Sequence, residues 1–127
     1  MDYPNPVRIP FLNKFTERCH IHASNHSTNK GGGRHHYHVT SFADDNQVDY
    51  EAKIDFQEGA LTTVGHNGLF SVALLTILID HLKSFQEGEF STREAAIAIT
   101  DLEKALWALC ARADERASRG VLGAHAK

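Results

Sequence analysis

Residues 48–56, VDYEAKIDF, alternate strictly: Val48, Tyr50, Ala52, Ile54 and Phe56 are apolar, and Asp49, Glu51, Lys53 and Asp55 between them are charged. A period of two predicts a strand with one face covered and the other in water. HYHVTSF at 36–42 is a second strand candidate, and ADDNQ at 43–47 supplies the Asp and Asn residues of a hairpin loop. Beyond Gly59, ALTTVG at 60–65 reads as a short extended piece. A lone hairpin is marginal in water, so this β part must pack on something.

The period changes after residue 66. From Leu69 to Phe85 the apolar positions Leu69, Phe70, Val72, Leu74, Leu75, Ile77, Leu78, Ile79, Leu82 and Phe85 predict a helix apolar over far more than one stripe. A second helix is predicted from the capping-box pair Ser91 and Glu94. It carries Ile99, Leu102, Leu106, Leu109 and Ala113 at alternating steps of three and four. The joint QEGEFS is short enough to make the two helices antiparallel. One partner helix and a small sheet cover only two sides of the first helix. Packing alone therefore predicts an oligomer. The expected fold is α+β: a small antiparallel hairpin or sheet followed by a long two-helix hairpin.

Residues 1–34 are expected to be an irregular arm or linker, with Pro4, Pro6 and Pro10 at one end and Gly31, Gly32 and Gly33 at the other. Residues 35–127 are expected to form one domain: a β part at 35–64, the helices at 67–119 and a terminal segment at 120–127. At 127 residues the chain suffices for one domain. Its net charge of −3 speaks against bulk nucleic-acid binding and leaves room for a local basic pocket. Cys19 and Cys110 match no CxxC spacing and read as reduced, inert thiols. MDYPNPVRIPF, with an early acid, three prolines and no apolar core, is not expected to act as a leader. The apolar run at 69–79 is about half the roughly 20 residues of a membrane span.

The candidate chemistry centres on CARADERASRGVLG at 110–123, where Arg112, Arg116 and Arg119 share a helix face at i, i+4 and i+7. Guanidinium groups match phosphate oxygens in pairs, so the row reads as an anion clamp. With Glu115 among them it reads equally as a salt-bridged, solvated face. Gly120 and Gly123 would let backbone approach a ligand. Asn67 and Gly68, before the first helix, read as an N-cap with an anion site or as a plain turn and cap. CHIH at 19–22 and HHYH at 35–38 have HxH spacing that chelates on a strand, yet no acidic or cysteine partner completes either set. No metal site and no cofactor are expected. His81 reads as a surface or interface residue. No nucleophile motif, glycine-rich nucleotide loop or HExxH is present, so no catalytic residues are assigned and no enzyme is expected.

VGHNGLFSVALLTILIDHLKSFQ (64–86) and EAAIAITDLEKALWALCARADERASRGVLGAHAK (94–127) together resemble a family of phage anti-defence proteins, the nucleotide sponges of the Thoeris and CBASS anti-defence types. The resemblance rests on the order of several features. They are Asn67-Gly68, Ile79-Asp80 with Leu82, Phe85-Gln86, the arginines Arg112, Arg116 and Arg119, and Gly120-Val121-Leu122-Gly123. It implies a non-enzymatic viral protein in the host bacterial cytoplasm. That protein would sequester glycocyclic ADP-ribose made by TIR proteins and cyclic di- or trinucleotides. It would assemble as a homo-oligomer, dimer to hexamer, with no membrane partner. The resemblance further implies that Phe85 stacks on a base or contacts ribose. Arg112 and Arg116 would hold the pyrophosphate, with Arg119, Asn67, Gly68, Gly120, Val121 and Ala95 around the ligand. Ala95 stands where the family has an asparagine that touches the ligand. Leu122 and Ala124 replace a glutamate and a threonine. Lost polar partners imply weaker binding or a changed preference.

Three other functions fit some of the same residues. One is an RNA or single-stranded DNA module using the arginines with Tyr37, Tyr50 or Phe85. Another is a metal-dependent enzyme using His20, His22, His35, His36 and His38. The last is a structural oligomer whose arginines only form salt bridges.

Overall fold

A computed structural model describes residues 6–10, 18–24 and 32–120. Four strands, β1 (Val7–Ile9), β2 (Cys19–Ala23), β3 (His36–Phe42) and β4 (Val48–Asp55), precede three helices, α1 (Leu61–Val64), α2 (Ser71–Gln86) and α3 (Arg93–Ser118). The fold is α+β, as the change of period predicts. The chain forms two compact units, 1–68 and 69–127.

In the first unit the strands form an antiparallel meander in the order β1-β2-β3-β4. The β3–β4 hairpin is the one read from the alternation. Its loop closes through an Ala43 N–H to Gln47 carbonyl bond of 2.9 Å and an Asn46 at φ 63°. Asn tolerates that left-handed conformation better than most residues. Strands β1 and β2 lie inside the stretch expected to be irregular, and this corrects that expectation. CHIHA does alternate, but its polar positions are histidines and its length is five residues. β1 has three. The piece at 60–65 is not extended either: Leu61–Val64 form one helical turn.

The register sorts the side chains by face. Ile9 pairs with Ile21, Ile21 with Val39, and Val39 with Ala52, so these share the apolar face with Ala23, Tyr37 and Ile54. The Tyr37 and Phe56 rings meet edge to face at 5.8 Å. The other face is polar: Arg8, His22, His38 and Lys53 form one row across all four strands. His20, Thr40 and Glu51 form the next row.

In the second unit α2 and α3 make the antiparallel hairpin. Ile79 and Ile99 are buried, and Lys83 pairs with Glu103 at 3.2 Å. Gln86 closes the connection. Its side chain accepts from the Thr92 N–H and donates to the Thr92 carbonyl, both at 2.9 Å. The cap of α3 is Thr92, whose hydroxyl accepts from the Ala95 N–H at 3.0 Å, and not Ser91. α2 begins two residues later than its apolar pattern, a normal fraying margin. No helix among the described residues is long and apolar enough to cross a membrane.

Candidate functional site

The helical hairpin spreads the expected ligand residues over its length. α2 has 16 residues and α3 has 26. At 1.5 Å per residue these are about 24 Å and 39 Å long, so α3 overhangs α2 by more than two turns. Phe85 lies one residue from the end of α2, at the hairpin tip, 45 % exposed, its ring edge to face with His81 at 5.2 Å. Ala95, in the first turn of α3, lies at the same end.

Arg112, Arg116 and Arg119 lie at the far end of α3. Because the chain reverses between the helices, Phe85 is level with the start of α3, and Arg112 is on the order of 25 Å further along the axis. One hairpin therefore joins Phe85 with Ala95, and the arginines with one another, but not the aromatic ring with the guanidinium groups.

The arginines differ in their surroundings. Arg112 is exposed and Arg116 half-buried. Arg119 makes a two-point ion pair with Glu115, one arm being Nη2 to Oε2 at 3.2 Å. Cations in the last turn also complement the negative end of the helix dipole. Gly120 follows at φ 74°, the left-handed conformation that ends helices and that glycine adopts without penalty. Val121, Leu122, Gly123 and Ala124 lie outside the described residues.

Asn67 and Gly68 belong to the first unit, and the structure corrects their expected role as a helix cap. The N-cap of α2 is Phe70, with no side-chain cap. Asn67 instead grips the backbone beyond β4: Oδ1 accepts from the Glu58 N–H at 2.9 Å and Nδ2 donates to the Glu58 carbonyl at 2.7 Å. Its own N–H donates to Gln57 Oε1 at 3.0 Å. Gly68 runs so close to β4 that a Cβ there would come within 2.6 Å of the Phe56 carbonyl carbon. His36 joins the same corner, bonding Asp55 at 2.8 Å and Glu58 at 3.1 Å. The Asp55 bond is the largest effect and, with the Glu58 bond, holds its pKa above the usual histidine value against the opposing effect of burial. On the same sheet face the pKa of His22 is held below the usual value, chiefly by burial and then by Arg8, His20 and His38.

The apolar excess that the sequence places on α2 lies partly in the open, at Phe70, Ile77, Leu78 and Phe85. Phe70, Leu74, Ile77, Leu78, His81 and Phe85 fall on the side away from buried Ile79, and Ile77 is 59 % exposed. Trp107 on α3 is 69 % exposed, a large aromatic that the apolar stripe of α3 leaves out.

Residues 49–114 match the family described as Acb2/Tad1, hairpin domain. Thoeris anti-defense 1 of Bacillus phage SBSphiJ7 is 46 % identical over 76 residues, covering 60 % of this chain and 54 % of that protein. The chain thus spans about half the length of the curated relative it matches. The family match begins in β4, takes in α2 and most of α3, and stops two residues after Arg112, short of Arg116 and Arg119. Covering over half of the sequence, it places this chain in the Acb2/Tad1 hairpin-domain family.

Proposed function

We propose that this chain is an anti-defence protein that binds and sequesters immune signalling nucleotides without turning them over. The ligand is glycocyclic ADP-ribose made by TIR proteins, with cyclic di- and trinucleotides as further candidates, and sequestration in the host cytoplasm keeps it from its effector. The name of the phage relative supports the anti-defence role. The observation that carries the mechanism is the separation of Phe85 from Arg112 and Arg116 along one hairpin. A compact cyclic nucleotide does not bridge that gap. Two hairpins packed antiparallel bring the Phe85 end of one copy beside the arginine end of the other. The exposed apolar face of α2 supplies the kind of surface on which such copies pack. Phe85 then offers a stacking platform worth about 1–3 kcal/mol per base. Arg112 and Arg116 offer paired donors to the pyrophosphate.

The test is uptake and release. Purified protein is incubated with glycocyclic ADP-ribose isomers and cyclic oligonucleotides, and free nucleotide is quantified before and after heat denaturation. Depletion followed by recovery of intact nucleotide is expected. Depletion without recovery would make the protein an enzyme, and no depletion would refute sequestration of these ligands.

A further inference from the structure

The polar face of the sheet has no part in the function proposed above, and the inference drawn from it does not depend on that function. On this face His22 and His38 stand directly opposite each other on β2 and β3, which puts their Cβ atoms about 5 Å apart. His20 shares the face two residues before His22, with the ring centroids 6.3 Å apart. His38 is only 8 % exposed, and its Nε2–H donates to the Glu51 carboxylate at 2.9 Å. An ionised carboxylate only accepts, so this bond sets the tautomer and leaves a lone pair on Nδ1 of His38. Nδ1 of His38 and Nδ1 of His22 are both buried and neither has a hydrogen-bond partner. Buried nitrogens without a partner are uncommon in folded proteins and point to a bound water or ion.

We propose that His22 and His38 bind a divalent transition-metal ion of the zinc class, with His20 as third ligand and solvent as fourth. Imidazole nitrogen suits zinc, cobalt, nickel and copper. A carboxylate behind a ligating histidine is the usual support of such sites, and Glu51 already holds that position on His38. Among the described residues no three His, Cys, Asp or Glu side chains already stand gathered around an ion position. The site is therefore built on His22 and His38, which are opposed in register and have unpartnered Nδ1 atoms. His20 completes the set by turning from Phe42, against which its ring now packs at 5.1 Å. Cys19 is on the opposite face and contributes nothing. Arg8 and Lys53, at the two ends of the row, are cations that disfavour an ion held by charge alone. Binding therefore comes from the nitrogen donors, and magnesium and calcium, which prefer oxygen ligands, are excluded.

The full chain, stripped with chelator, is titrated with cobalt(II) by visible absorption and with zinc(II) against a chromophoric chelator. One ion per chain is expected, with nitrogen-type ligand-field bands, no competition from magnesium, and a melting temperature raised by zinc. His22→Gln and His38→Gln each weaken binding at least tenfold, Glu51→Gln about ten- to a hundredfold, and His35→Gln not at all. Melting without metal shows which variants fold. Should a ligand variant fail to fold, ring resonances of the native chain decide: zinc must shift those of His22 and His38 and leave His35 in place. No ion bound by the native chain, binding unchanged in folded His22→Gln and His38→Gln, or zinc shifts that miss both rings would each overturn the proposal and leave the two nitrogens to water.

Discussion

Gly68 and Arg112 illustrate two kinds of constraint on single residues. A methyl group at Gly68 meets backbone atoms of Phe56 and Asp55 at 2.6–2.7 Å, with no flexible side chain to yield. Gly68→Ala should therefore destabilise the first unit by about 1–3 kcal/mol, within the range of overpacked sites, read as a lowered denaturant midpoint by circular dichroism. An unchanged midpoint would mean that the corner opens easily. Arg112 is exposed on α3. Arg112→Ala should leave stability within about 0.5 kcal/mol. Hydrogen bonds to charged groups contribute about 1.5–3 kcal/mol, so the proposed function expects nucleotide affinity to fall at least tenfold in a titration. Equal affinity would return Arg112 to the solvated-face reading. Arg119, already paired with Glu115, is the poorer probe of the clamp.

At the scale of elements, the sequence was most legible where a period ran long. The alternation at 48–56 and the apolar helical positions from 69 onward each located an element within two residues or so. β2 was missed because its five residues alternate with histidine, and β1 because three residues carry no period. The piece at 60–65 reads as extended chain beyond the turn at Gly59, yet four of its residues close a helical turn. Asn67 looked like a cap because it precedes a helix, whereas its side chain faces back to Glu58, a contact nine residues away that no local pattern encodes. The residues proposed to hold nucleotide follow from family resemblance alone; the spacing of the arginines fits an ion-paired face equally well. The cap of α3 gives a direct test of local reasoning. Thr92→Ala removes the acceptor for the Ala95 N–H and should cost about 1 kcal/mol in thermal unfolding. Ser91→Ala should cost much less, and the reverse order would restore Ser91 as the cap.

At the scale of the whole molecule, the described interior is thin: the buried hydrophobic residues are Ala23, Ala60, Ile79 and Ile99. The outer side of α2 meanwhile carries Phe70, Ile77, Leu78 and Phe85 in the open. A second copy on that face would cover the stripe and complete the ligand site. A two-fold pair is self-complementary, so it would contain two sites, each built from Phe85 of one copy and Arg112 and Arg116 of the other. That geometry makes a sharp prediction. Phe85→Ala protein and Arg112→Ala/Arg116→Ala protein should each fail to take up nucleotide alone. Mixed and allowed to exchange subunits, they form hybrid pairs in which one site joins an intact Phe85 to intact arginines and the other has neither. Random exchange of equal amounts makes about half of the pairs hybrid, so uptake should recover to about a quarter of the native sites. A site contained in one copy recovers nothing on mixing, because every chain lacks one half of it. Recovery on mixing, with sedimentation confirming exchange, would establish that the site lies between copies. Its absence despite exchange would assign the separated ends of the hairpin to different tasks.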